Sequence, residues 1–169
     1  GPDAFPNKLG FGPEKFVGEK SYRPPTKTFE DGKILDLTIA GEPVQVAPNR
    51  TDVQDSVGYY FPNRSALVTN AMGIMSIFNL YSLRGDMYRD PLDFVEAHDW
   101  ALSKNAEALV DIHGAGIKGK EAVRQALERA SDQIQLIHDQ TLRMISLGMD
   151  ARRAAENVYM PDHLRQGSE

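Results

Sequence analysis

From Lys33 onward, apolar and polar positions alternate along the chain. Leu35, Leu37 and Ile39 are interleaved with Asp36 and Thr38, the period of a strand with one face buried. Gly41-Glu42-Pro43 reads as a turn, and Val44 and Val46 open a second strand. Two further strands are expected at Val57 to Phe61 and Ala66 to Thr69, separated by a Pro62-Asn63 turn. The period then changes. Ile74, Ile77, Phe78 and Tyr81 fall at helical spacing, with Gly85 placed to end that helix. Asp90-Pro91 supplies a start signal, a side-chain cap followed by proline at the first helical position, for a helix reaching about Lys104. Ala108 to Ile112 fits one last buried strand, followed by a glycine-rich turn from Gly114 to Gly119.

From Glu121 to Gly148 the chain reads as one long helix. Val123, Leu127, Ala130, Ile134, Ile137, Thr141 and Met144 form a heptad-like seam along it. A short helix follows, capped by Asp150 and closed before Pro161. Such a seam demands a partner helix along much of its length, and only a short helix follows it. A second copy of the chain is therefore the expected partner, with Val123, Leu127, Ile134, Ile137 and Met144 at the interface.

The first residues behave differently. Phe5, Pro6, Gly10, Phe11, Gly12, Pro13, Phe16, Pro24 and Pro25 have no period, so residues 1–32 read as an irregular arm. Gly1-Pro2 resembles the scar of a removed tag. The 169 residues suit one ordinary domain with or without an appendage, and 41% hydrophobic residues suffice for a core. A net charge of −5, with basic residues scattered among acidic ones, argues against nucleic acid as a partner. The absence of cysteine excludes disulfides and thiolate metal sites. No apolar run approaches the ~20 residues needed to span a bilayer. The expectation is a soluble protein of the bacterial cytoplasm or periplasm.

Candidate chemistry is sparse. Gly114, Gly116 and Gly119 match a phosphate-binding glycine pattern, and with Lys120 they approach a phosphate loop. Glu121 stands where a hydroxyl should hold magnesium, and no strand follows the helix to complete a βαβ unit, so a connection is the better reading. The histidines, His98, His113, His138 and His163, show none of the close spacings by which one element presents two metal ligands. His113, at a strand end beside glycines, is the best functional candidate; His138 suits an interhelical hydrogen bond. Asp36, Asp52 and Asp55 are solvated loop or strand carboxylates by default. Arg84 before Gly85-Asp86 fits a helix end, where a cation meets the negative terminus.

Several stretches taken together resemble the alkylsulfatase branch of the metallo-β-lactamase superfamily. They are Tyr60-Phe61-Pro62, Asn79-Leu80-Tyr81-Ser82-Leu83-Arg84-Gly85 and Arg89-Asp90-Pro91-Leu92, in order. Ile137-His138-Asp139-Gln140-Thr141-Leu142-Arg143, Ala154-Ala155-Glu156 and Met160-Pro161-Asp162-His163-Leu164 continue the pattern into a dimerisation segment. The likeness spans roughly residues 31–166. It implies an α+β chain: partial metallo-β-lactamase-like αββα layers over 33–119, then a long dimerisation helix within 120–169. It also implies two zinc ions and hydrolysis of a small anionic sulfate ester, with Arg84 meeting the sulfate.

The departures from the family pattern are as informative. The first metal motif of the family, H-x-H-x-D-H, is absent. Its threonine-glutamate pair falls on Thr51-Asp52, a second metal-binding glutamate falls on Ala71, and nearby histidines fall on Met75 and Phe78. The candidate metal ligands are Asp52 and His113, with His113 also the candidate catalytic residue. A dizinc site takes about six or seven protein ligands, so this chain alone is expected to hold none. Zinc is expected only if a complementary N-terminal half supplies the rest. The alternative is a pseudoenzyme that acts as a dimerising or scaffolding module.

Overall fold

The computed structural model describes residues 23–28, 30, 32–77, 80 and 88–165. Strands β1 (Leu35–Ile39), β2 (Glu42–Pro48), β3 (Val57–Phe61) and β4 (Ala66–Thr69) form an antiparallel meander. Helix α1 (Pro91–Ser103) lies in the crossover to β5 (Ala108–Asp111), which pairs parallel with β4. The two-residue β6 (Ile117–Lys118) closes a six-stranded sheet in the order β1-β2-β3-β4-β5-β6. Three helices follow, α2 (Lys120–Ser146), α3 (Ala151–Asn157) and α4 (Asp162–Arg165).

The register explains which side of the sheet the helices cover. Tyr60 is opposite Leu67, Leu67 opposite Leu109, and Leu109 opposite Ile117, so these four form one row across β3 to β6. Leu67 and Leu109 are buried there with Met72, Ala97, Ala101, Val123, Leu127 and Ala130. Small residues on α1 let it approach α2 closely, and the bulk comes from Leu127 and Val123. Alternation sends the next residues to the far side, where Leu35, Val46, Tyr59, Val68 and Val110 are in register across β1 to β5. A sheet apolar on both faces is the pattern of one covered on both.

The expected strands and the helix at Pro91 are present, and Asp90 caps it by accepting from Leu92 N at 2.9 Å. Asp150 likewise caps α3, accepting from Arg153 N at 2.9 Å. Three expectations are corrected. The described part of the stretch from Ile74 to Tyr81, residues 74–77 and 80, is not helical. Its apolar spacing comes instead from a crossover loop that fills the core with Met72 and Ile74, both buried. The glycine turn after β5 contains β6.

The third correction concerns the seam of α2. Val123, Leu127 and Ile134 are each 2% exposed or less within this single chain, so they are not available to a second copy. Their partner is the chain itself, with α1 against the first half of α2. Farther along, glutamines hold the returning tail. Gln133 donates to Leu164 O, and Gln140 bonds both the carbonyl and the amide of Tyr159, at 2.7 and 2.9 Å. Ile137 and Met144 remain half-buried, while Leu142, Ile145 and Leu147 are exposed.

Candidate functional site

One end of the sheet gathers the candidate residues. Because β4 and β5 run parallel and β2 and β3 form a hairpin, Pro48, Val57, Thr69 and Asp111 all lie at the same end. Three connections therefore meet there: the loop after β2, the turn after β4 and the turn after β5. The first two are knotted together. Asn49 Nδ2 and Thr51 Oγ1 both donate to Asn70 O, at 2.7 and 2.5 Å, and Asn70 Nδ2 donates to Ser56 Oγ at 2.6 Å. Asn49 and Thr51 are fully buried, where leaving these donors unpaired would be costly. The knot fixes the backbone on which Asp52 stands.

Asp52 itself is engaged. Its Oδ1 accepts from Arg89 Nη2 at 2.5 Å, with Asp52 about a third exposed and Arg89 mostly buried. A carboxylate has a second oxygen, so this pairing leaves room for another cation. His113 is exposed just beyond β5. Ala71 is buried with a φ of 50°, a left-handed conformation unusual for alanine. Met75 packs against Gly114: a Cβ on that glycine would lie 2.5 Å from Met75 Cγ, and its φ is +142°. The apolar Met75 thus packs against the residue next to His113. Arg84 and Phe78 lie outside the described residues.

The sequence offers no signal for two of the groups here. Asp111 is 6% exposed and accepts from Thr69 Oγ1 at 2.9 Å and from Met72 N at 3.2 and 3.3 Å. Burial pushes its pKa up, opposed by the bonds from Thr69 and Met72 and by the nearby His113. His98, on α1, is fully buried, with Nε2 2.9 Å from Met72 O. Burial pushes its pKa down to about 4, against the opposing influences of the Met72 bond and Asp99. A single carboxylate in a strand and a single histidine in a helix carry no spacing pattern, so only tertiary packing reveals them.

Among the described residues, no three His, Asp or Glu side chains converge as a metal site requires. Asp52 faces Arg89, Asp111 is committed to Thr69 and Met72, and His113, near Asp111, is exposed with no third ligand among the described residues beside the two. These residues alone do not fit a zinc pair.

No family model matches the chain. Over 156 residues it is 33% identical to a linear primary-alkylsulfatase of Pseudomonas sp., an alignment covering 92% of this chain and 29% of that protein. Its homologues are alkylsulfatases. An alkyl/aryl-sulfatase of Saccharomyces cerevisiae is 28% identical over 162 residues, 93% of this chain and 25% of its own length. This chain thus spans between a quarter and a third of these alkylsulfatases. The fold agrees. The stereoselective inverting sec-alkylsulfatase Pisa1 from Pseudomonas sp. superposes with a TM-score of 0.78 at 21% identity, over 86% of this chain and 24% of that one. A metallo-beta-lactamase family protein from Thermus thermophilus superposes with a TM-score of 0.52 at 19% identity, over 72% of this chain and 40% of that one. Among the described residues no helix is long and apolar enough to cross a membrane.

Proposed function

We propose that this chain is one part of an alkylsulfatase-like metallo-hydrolase that cleaves a small anionic sulfate ester. In this reading residues 33–119 are half of the catalytic domain and residues 120–169 begin a dimerisation segment. The observation that carries the reading is 33% identity to a linear primary-alkylsulfatase sustained over 92% of the chain. Asp52 and His113 are its candidate zinc ligands, His113 also its candidate catalytic group, and Arg84 its sulfate-binding residue. The remaining ligands come from a complementary N-terminal part of the assembly. Support for such a complement comes from one end of the far side of the sheet: in the row of Leu35, Val46, Tyr59, Val68 and Val110, Val46 is already buried, Leu35, Tyr59 and Val68 are half-buried, and Val110 is left open. Val110 is 50% exposed, and stacked sheets pack about 10 Å apart through such rows. The exposed Leu142 and Ile145 on α2, with Leu147 at its cap, supply an apolar surface for a second copy, in place of the inner seam.

A second reading, a non-catalytic dimerising or scaffolding module, is favoured by one feature: apolar Ala71 and Met75 stand where the family pattern carries a metal-binding glutamate and a histidine, and Met75 packs against Gly114, next to His113. One experiment separates the two. The purified protein is run through size exclusion with in-line mass detection, and metal is quantified in the same peak. A peak holding an additional chain and about two zinc ions, with sulfate-ester hydrolysis, supports the hydrolase. A metal-free homodimer of this chain alone overturns it in favour of the module.

A further inference from the structure

We propose that His98 is a positioning residue for the loops at the site end of the sheet. From the middle of α1 its Nε2–H holds the Met72 carbonyl, and through the Asn70–Met72 turn it sets where Thr51 and Asp52 stand. The inference rests on reading that end of the sheet as the functional site.

The placement of the imidazole is costly. His98 is fully buried, and Nδ1 has no hydrogen-bond partner. A carbonyl only accepts, so the ring must carry its proton on Nε2 to face Met72 O at 2.9 Å. Nδ1 is then a bare acceptor removed from water. Leucine or methionine would fill the same space, next to Phe94, without that penalty. What an apolar side chain cannot do is hold the turn.

The turn is held from several sides. Met72 N donates to both Asp111 oxygens, and Met72 O receives His98, so both peptide groups flanking this residue are fixed. One residue earlier, Ala71 adopts φ 50°, a conformation that persists only where the surroundings over-determine it. One residue before that, Asn70 O receives Asn49 and Thr51. His98 thereby ties the helix layer to the same backbone on which the loop of Asp52 hangs. Burial holds its pKa at about 4, so the ring remains a neutral donor at physiological pH.

The test is amide hydrogen exchange on the full chain, comparing wild type, His98→Leu and His98→Gln. Glutamine retains an N–H donor; leucine does not. Loss of one buried hydrogen bond is expected to speed exchange at Thr51, Met72 and Ile112 about tenfold in His98→Leu. Amides of Ala126 and Leu127 in α2 should be unchanged, and His98→Gln should stay within about twofold of wild type at every position. Wild-type rates at Thr51, Met72 and Ile112 in His98→Leu would overturn the proposal. So would equal acceleration in α2, the mark of a purely structural role. If His98→Leu does not fold, the histidine tautomer of the wild type decides by long-range proton–nitrogen correlation. A proton on Nε2 is expected; a proton on Nδ1 would sink the idea. Neither measurement uses metal or substrate, so failure here leaves the hydrolase reading standing.

Discussion

Lowering the pH from 7 to 5 should destabilise this protein through His98. The ordinary histidine pKa of 6.5 falls to about 4 in the folded chain, chiefly because burial disfavours the imidazolium. Between those values the unfolded chain binds a proton on this ring and the folded chain does not, so acid favours unfolding. The full gap corresponds to about 3 kcal/mol, of which about 2 kcal/mol is lost by pH 5. Asp111 acts with the opposite sign. Its folded pKa is raised, so its contribution is fully present below the unfolded value of 3.8 and is lost as pH rises through the folded value. Comparing wild type with His98→Gln cancels that contribution, because both carry Asp111. The assay is urea unfolding at pH 7, 6 and 5, with stability taken from the midpoint and slope. Wild type should lose about 2 kcal/mol more than His98→Gln over that range. Parallel stability profiles for the two proteins would refute the reasoning, since they would mean that His98 titrates alike in folded and unfolded chains.

Two further outcomes follow from packing. Gly114→Ala should lower stability by about 1–3 kcal/mol, because its Cβ would meet Met75 Cγ at 2.5 Å at a φ of +142°. Adding Met75→Ala should return part of the loss in thermal denaturation, and a Gly114→Ala melting temperature equal to wild type would contradict the geometry. Ile134→Ala should cost about 2–5 kcal/mol, since Ile134 is 1% exposed. Ile137→Ala, at a half-buried position one turn on, should cost less than half as much by urea unfolding; equal losses would show a seam packed evenly along its length.

The sheet was legible where side chains alternate. Leu35, Leu37 and Ile39, and Val57, Tyr59 and Phe61, keep period two because each strand has an inner and an outer side. β6 escaped because two residues among glycines hold no period. The crossover misled for a different reason: Ile74 and Ile77 have helical spacing, but a loop can fill a core with any spacing that reaches it. The seam of α2 was read correctly as a buried stripe, and its partner was mistaken. α1 contributes mainly alanines there, Ala97 and Ala101, and alanine marks a close helix contact more faintly than leucine. At the site, His113 stood out by its place at a strand end beside glycines, and Asp52 through family likeness. Asp111 and His98 did not, because their importance lies in what they touch, Thr69 and Met72, far away in sequence.

The parallel pairing of β4 with β5 has a consequence for the order in which the molecule assembles. Hairpins join β1 through β4, so these strands bring together residues close in sequence. β5 joins only after the chain has travelled from Thr69 to Ala108 and laid down α1 on the way. Contacts between distant segments form late, because the entropy of closing the intervening loop is lost before they reward it. The hydrogen bonds from Asp111 and His98 to Met72 span that same closure. The Asp111 and His98 bonds to Met72 are thus expected among the later contacts to form, after the Asn49–Thr51–Asn70 knot that belongs to the meander itself.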